Sequence, residues 1–335
     1  MSSEPPIPNT SVLREALRHL PFSGWWPVLT GVVAGIALRL AFWGGPDHPY
    51  APMAMSFIYL SPIVVGAVTV YVAERNKRRS WKYYVGAPFV AANLYVVGTL
   101  LVMIEGLICA ALIAPLFALL GIVGGLLMGL VCRLTNWPKH TLMGLGILPF
   151  LLAPLEHGAP LPVHTRAVER TISVSAPPEH IWRQIMHAES INADEIEHAW
   201  IFRIGVPLPL AGTTQGSTRR VTMGKRVYFD EVITDSVENR YVRWTYRFYQ
   251  DSFPPRALDD HVVIGGRYFD VVDTAYTLIP SGDQTKVTVR VQYRVSTQFN
   301  WYAEPVADFL LGNMAEVNLD FYRRRSESAT SARAP

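Results

Sequence analysis

NWYAEPVADFLLGNMAEVNLDFYRRR, residues 300–325, is the stretch whose reading decides the fold. Val306, Phe309, Leu310, Met314, Val317 and Phe321 recur at steps of three and four, which places them along one face of a helix. Arg323, Arg324 and Arg325 stand where a helix C-terminus favours cations. Pro305 fits a first helical turn, so Asn300 to Glu304 reads as a lead-in. Gly312 in mid-helix costs roughly 1 kcal/mol relative to alanine and predicts close approach to whatever the helix covers.

The segment just before it supplies the partner. From Lys286 to Val295, Val287, Val289, Val291, Tyr293 and Val295 alternate with Thr288, Arg290, Gln292 and Arg294. That period of two predicts an antiparallel strand with one buried face. A twisted sheet with one apolar face needs a cover, and the long helix is the best candidate. Two readings follow: a closed packed core, or a sheet and helix enclosing a ligand cavity.

Composition divides the chain. Residues 1–160 hold only ten of its 30 Lys/Arg and six of its 27 Asp/Glu. The first half is therefore a sparsely charged apolar block, and the second resembles an ordinary soluble domain. The net charge of +3 does not indicate nucleic acid, because the basic excess falls between apolar segments. Cys109 and Cys132 both lie in the apolar block, so the second half has neither disulfides nor thiolate chemistry.

Within the block, 1–22 reads as a tail without a cleavable signal. Trp25–Phe42, Ala51–Ala73, Tyr83–Ile104 and Leu107–Val131 read as membrane spans. The loop ERNKRRSWK (Glu74–Lys82) carries five of the block's basic residues, which predicts a cytoplasmic side. Thr141–Leu155 is short and contains two prolines. If it crosses, there are five spans and the following domain is extracytoplasmic, the favoured reading. If it lies in the interface, there are four and the domain is cytoplasmic. A bacterial-type inner membrane is the expected setting. Glu105 falls at a turn between spans. Gly121, Gly124, Gly125 and Gly129 form a small-residue stripe suited to close helix packing, within the bundle or between copies as a homo-oligomer.

The expected domains are the tail 1–22, a transmembrane region 23–157, a folded domain 158–326 and a disordered tail 327–335. A Pro-rich linker (His157–Thr165) leads to a strand, Val168–Val174. Ala176-Pro-Pro-Glu opens a helix. A short helix is expected near Asn192–His198, then a Pro/Gly-rich connection, Ile201–Gly216. Strands follow at Ser217–Met223, Val227–Thr234, Tyr241–Phe248, Arg267–Ile279 and Lys286–Thr297, with a hairpin turn at Ser281-Gly282-Asp283.

That order, carried by VERTISVSAPPEHIWRQIMH (168–187), GSTRR (216–220), FDEVI (229–233), YVRWTY (241–246), AYTLIPSGDQTKVTVRVQYRV (275–295) and the last helix, resembles the SRPBCC or START-like helix-grip superfamily. This group includes the polyketide cyclase/dehydratase-like proteins. The resemblance implies an α+β helix-grip domain, its antiparallel sheet wrapped around a long C-terminal helix; with the apolar segments, the expected architecture is an α-helical membrane bundle of 4–5 spans followed by that domain. It also implies an apolar cavity for a hydrophobic or lipid ligand. The membrane block lies outside it. The segment DSFPPRALDDHVVIGGRYFD (251–270) is longer than the family pattern and reads as a lid or docking loop.

Catalytic signatures are absent: no Gly-x-Ser-x-Gly, no phosphate loop, no HExxH, and no metal spacing around His180, His187 or His198. No cofactor is expected. Polar residues on apolar strand rows are the better signal. Glu231 falls in the row of Val227, Phe229 and Ile233. Arg219 falls in the row of Ser217, Val221 and Met223. A three-residue turn at Gly224-Lys225-Arg226 sets Arg219 opposite Glu231, and a two-residue turn sets it opposite Asp230. Asp270 shares a side with Tyr268, Val272 and Tyr276 by simple alternation, and Trp244 and Tyr246 share one with Val242 and Phe248. The candidate ligand residues are Arg219, Phe229, Glu231, Trp244, Tyr246, Tyr268, Asp270, Tyr276, Tyr293, Phe309 and Asn313. Glu231 and Asp270 are the weak catalytic candidates. Three functions fit: a membrane-anchored carrier of a hydrophobic molecule, a cyclase or dehydratase, and an envelope interaction module whose cavity side chains fill.

Overall fold

The computed structural model describes residues 24–45, 47–135, 139–255, 257–258 and 262–331. The 1–22 tail and parts of the 251–270 segment lie outside the described residues. The chain forms two compact units, Met1–Val102 with Ile113–Gly158, and Met103–Leu112 with Ala159–Pro335.

The first unit is built from α1 (Trp26–Ala41), α2 (Met55–Asn76), α3 (Trp81–Leu101), α4 (Leu107–Leu134) from Ile113 onward, and α5 (Lys139–Glu156). Among the described residues, three helices, α2, α3 and α4, are long and apolar enough to cross a membrane. The apolar helices at Trp26–Ala41 and His140–Glu156 are shorter. At 1.5 Å per residue, α1 with its 16 residues reaches about 24 Å, less than a hydrocarbon core of ~30 Å. Glu105 lies in the turn between α3 and α4.

The glycine stripe is used inside this unit. A Cβ on Gly124 would collide with the Ile63 carbonyl oxygen of α2, and one on Gly125 would sit 2.6 Å from the Tyr84 carbonyl of α3. Two of its carboxylates are also internally matched. Both carboxylate oxygens of Glu156 accept from the Ser56 N–H at 3.0 Å, satisfying a donor at the start of α2. Buried Glu74 accepts from the Tyr84 hydroxyl at 2.8 Å and the Arg79 amide at 2.7 Å.

The second unit contains β1 (His164–Val174), α6 (Pro178–Met186), β2 (His187–Ala188), α7 (Ala193–Ile196), α8 (Trp200–Arg203), β3 (Pro209–Gln215), β4 (Thr218–Met223), β5 (Tyr228–Val237), β6 (Tyr241–Arg247), β7 (Phe269–Ser281), β8 (Gln284–Val295) and α9 (Asn300–Ser331). The eight strands form one antiparallel sheet in the order β1-β8-β7-β6-β5-β4-β3-β2. The sheet curls around α9, which packs against β1, β8 and α6. This is a helix-grip arrangement.

Several boundaries differ from the sequence reading. Strand β3 lies within the stretch read as a connection, because Pro209 and Gly212 mask a strand that still pairs with β4. Helix α9 begins at Asn300, so Pro305 lies inside it, and it runs to Ser331, beyond residue 326. From Leu311 on, its buried residues are Leu311, Gly312, Ala315, Val317, Leu319, Phe321, Tyr322 and Ser326, so Val317 and Phe321 of the expected face are buried, Phe309 is exposed, and Val306, Leu310 and Met314 are only partly covered. Gly312 does permit close approach: a Cβ there would sit 3.5 Å from Val168 Cγ1 of β1 and 2.5 Å from Arg170 Nη2. The turn before β8 has the predicted residues, with Ser281 paired to Gln284 and Gly282 at φ +61°.

The inside of the grip is a packed core: Ile181 and Ile185 of α6, Trp244 of β6, Tyr276 and Leu278 of β7, Val287 and Val289 of β8, and Leu319 and Tyr322 of α9 belong to one buried cluster.

Candidate functional site

The site begins with a turn. Gly224–Arg226 is a single 3-10 turn joining β4 to β5, with Lys225 and Arg226 at positive φ. Its three residues set the register, and Arg219 pairs directly with Glu231. Arg220 pairs with Asp230 on the opposite face, and the two form a separate salt bridge.

Arg219 and Glu231 are both 6% exposed, and Arg219 Nη1 donates to Glu231 Oε2 at 2.5 Å. Around them stand Tyr246, opposite Glu231 on β6, and Trp244, two residues earlier on the same face. Trp244 pairs with Thr274 of β7, and Val242 with Tyr276. The Tyr246 hydroxyl and Thr274 Oγ1 share a hydrogen bond of 2.6 Å. The Arg219 guanidinium lies over the Trp244 ring, 5.6 Å from its centroid. Tyr322 of α9 closes the group, its ring edge-on to Tyr276 at 5.8 Å. Phe229 packs against Tyr246 and Phe248 at the margin.

The seat of Arg219 depends on one missing atom. A Cβ on Gly212 of β3 would sit 2.5 Å from the guanidinium carbon, so the guanidinium rests on bare backbone. Burial by itself would lower the pKa of Arg219, but the Glu231 carboxylate outweighs it and the net direction is up. Burial pushes Glu231 upward, against the pull of Arg219. Burial also raises Tyr276 well above the usual phenol value and raises Tyr322, so both remain hydroxyl donors.

The other candidates lie elsewhere. Residue Val272 is bulged out of the β7–β8 register: Val271 pairs with Tyr293, and Asp273 with Gln292. The bulge inverts the alternation, so Asp270, paired with Arg294, lies on the face opposite Tyr276. Burial raises the Asp270 pKa, with Arg294 opposing. Tyr268, just before β7, is buried beside Arg267. Tyr293 faces α9 but belongs to a separate cluster with Val168, Val295 and Leu311, and its hydroxyl donates to Asp308 at 2.5 Å. Phe309 is 55% exposed beside Trp200, and Asn313 Oδ1 accepts the Trp200 amide at 2.7 Å. Neither reaches Arg219, because the inward stripe of α9 runs through Leu311, Ala315 and Tyr322 instead.

Thr274 and Tyr322 are the residues that sequence reasoning missed. Thr274 lies after the bulge, two residues before Tyr276, so simple alternation already placed it in that row. The recurrence of Leu311, Ala315, Leu319 and Tyr322 at steps of four, four and three was a readable signal for Tyr322. Among the described residues, no group of three or more His, Cys, Asp or Glu is arranged to hold a metal ion.

The sheet and helix define a helix-grip domain, and solved proteins of similar shape are known. TTHA0849 of Thermus thermophilus is 17% identical, covering 49% of this chain and 99% of its own, with a TM-score of 0.33. A START superfamily protein from Mycobacterium smegmatis is 16% identical, covering 49% and 98%, with a TM-score of 0.32. StfQ, a di-domain aromatase/cyclase of the steffimycin biosynthetic pathway, is 9% identical, covering 58% and 60%, with a TM-score of 0.32. No sequence family and no curated protein matches the chain. The fold assignment rests on the chain's own strand order and closing helix.

Proposed function

We propose that the second unit binds a hydrophobic or lipidic small molecule in the interior of the grip, and that the chain is held at a membrane by its apolar helices. The observation that carries the first part is the Arg219–Glu231 pair, buried among Trp244, Tyr246, Tyr276 and Tyr322 on the face turned toward α9. A buried ion pair is a poor way to stabilise a core, since apolar residues of similar volume serve as well or better. Polar groups set in an apolar lining are the usual means of orienting a ligand. Three helices of span length support the second part, and five spans with an extracytoplasmic domain remain the reading we propose.

A second reading has its own support. Burial raises the pKa of Glu231, which suits a carboxyl group to acid–base work in a cyclase or dehydratase. Glu231→Gln separates the two. A carrier leaves its bound molecule chemically unchanged in both forms. In an enzyme, the wild type converts it, and the amide variant binds without turnover.

A further inference from the structure

The ion pair inside the grip is electrically closed, since Arg219 and Glu231 bond to each other at 2.5 Å. What remains is an excess of donors. Among the described residues, no acceptor reaches Arg219 Nε, and none completes a hydrogen bond with Trp244 Nε1. The Tyr246 oxygen is close enough to that indole to feel it, without the geometry of a bond. Both side chains are more than nine-tenths buried, at 6% and 2% exposed. Glu231 on one side, the Trp244 ring beneath and the bare backbone at Gly212 together fix the direction of the guanidinium. Buried donors without acceptors are unfavourable, so each calls for a partner from outside the chain.

We propose that the ligand presents a neutral carbonyl-type oxygen, as in a ketone, ester or amide, to Arg219 Nε and Trp244 Nε1. This rests on the reading of the grip interior as a ligand site. A carbonyl oxygen has two lone pairs and no donor of its own, so it fits two unmatched N–H groups. A carboxylate would add a third buried charge to a pair already neutral. A saturated hydrocarbon would leave both donors unmet.

The test uses the full-length chain in detergent micelles, incubated with equal amounts of octadecane, stearate and octadecyl methyl ketone. After washing, retained molecules are extracted and quantified by gas chromatography and mass spectrometry. We expect the ketone to be retained roughly tenfold over the other two, the ratio expected from about 1.4 kcal/mol. Trp244→Phe keeps the ring and removes the N–H, and should reduce that preference several-fold without reducing total uptake. The double variant Arg219→Leu with Glu231→Met should retain none of the three, the ketone included. Equal retention of alkane and ketone, a preference for stearate, or an unchanged ratio in Trp244→Phe would overturn the carbonyl assignment while leaving a ligand site in place. Retention of none of the three by the wild type would overturn the ligand site and this proposal with it.

Discussion

At the scale of the residue, a short turn carries the most consequence. The three-residue turn Gly224–Arg226 sets Arg219 against Glu231; strand alternation made a pairing of Arg219 with a carboxylate legible, but the choice between Glu231 and Asp230 rested on the turn length. The burial of the pair was not legible, because alternation cannot say which face of a sheet is covered. Losing one partner strands a charge, so Arg219→Leu should destabilise the domain by about 3–5 kcal/mol in denaturant unfolding. Adding Glu231→Met should recover most of that loss. The exposed Arg170–Glu316 pair provides the contrast: neither truncation should cost more than about 1 kcal/mol. Gly212→Ala should also be strongly destabilising. The displaced group would be a buried guanidinium held by Glu231, which cannot swing into water as an exposed arginine does.

At the scale of the element, β7 shows why periodicity fails where it does. A single bulged residue, Val272, exchanges the faces of everything before it, and no composition rule marks its place. Asp270→Asn should therefore leave retention of a ligand in the grip unchanged, whereas Thr274→Val, on the inner face, should reduce it. Helix α9 was legible as a helix, and Val317 and Phe321 of its expected face are buried, but Phe309 is exposed and Leu311, Ala315, Leu319 and Tyr322 were not read as inward. Apolar side chains also occur where it meets α8, and Phe309 beside Trp200 is one of them.

The far end of the same helix is tied to α7 by charge. Arg325 donates to both oxygens of Glu195 at 2.8 and 2.7 Å, and Glu195 also completes the capping box of α7 with Asn192. Hydrogen bonding from Arg325 holds the Glu195 pKa below its ordinary value. The folded-state pKa thus lies under the unfolded one. The stabilisation is complete above the ordinary glutamate range and is lost as pH falls through the folded value. Melting temperature should decline over that acid range, and Glu195→Gln should flatten the decline.

At the scale of the whole molecule, the division into an apolar block and an α+β domain was plain in the charge distribution, while the number of spans was not. Length decides the difference: α2, α3 and α4 are long enough, and the helices flanking them are short. Our five-span proposal requires both short helices to cross. It predicts that a cysteine replacing Ser328 is labelled by a membrane-impermeant maleimide once the outer barrier of the cells is opened. Labelling only after the inner membrane is lysed would place the domain in the cytoplasm.

The central claim is that the grip interior holds a hydrophobic molecule through Arg219 and Glu231. The most direct measurement is native mass spectrometry of the full-length chain purified in mild detergent, with solvent extraction of whatever accompanies it. We predict one hydrophobic small molecule per chain in the wild type, and a folded Arg219→Leu/Glu231→Met double variant that carries none. A wild type that carries nothing, or a double variant that carries the same molecule at the same occupancy, would contradict the account.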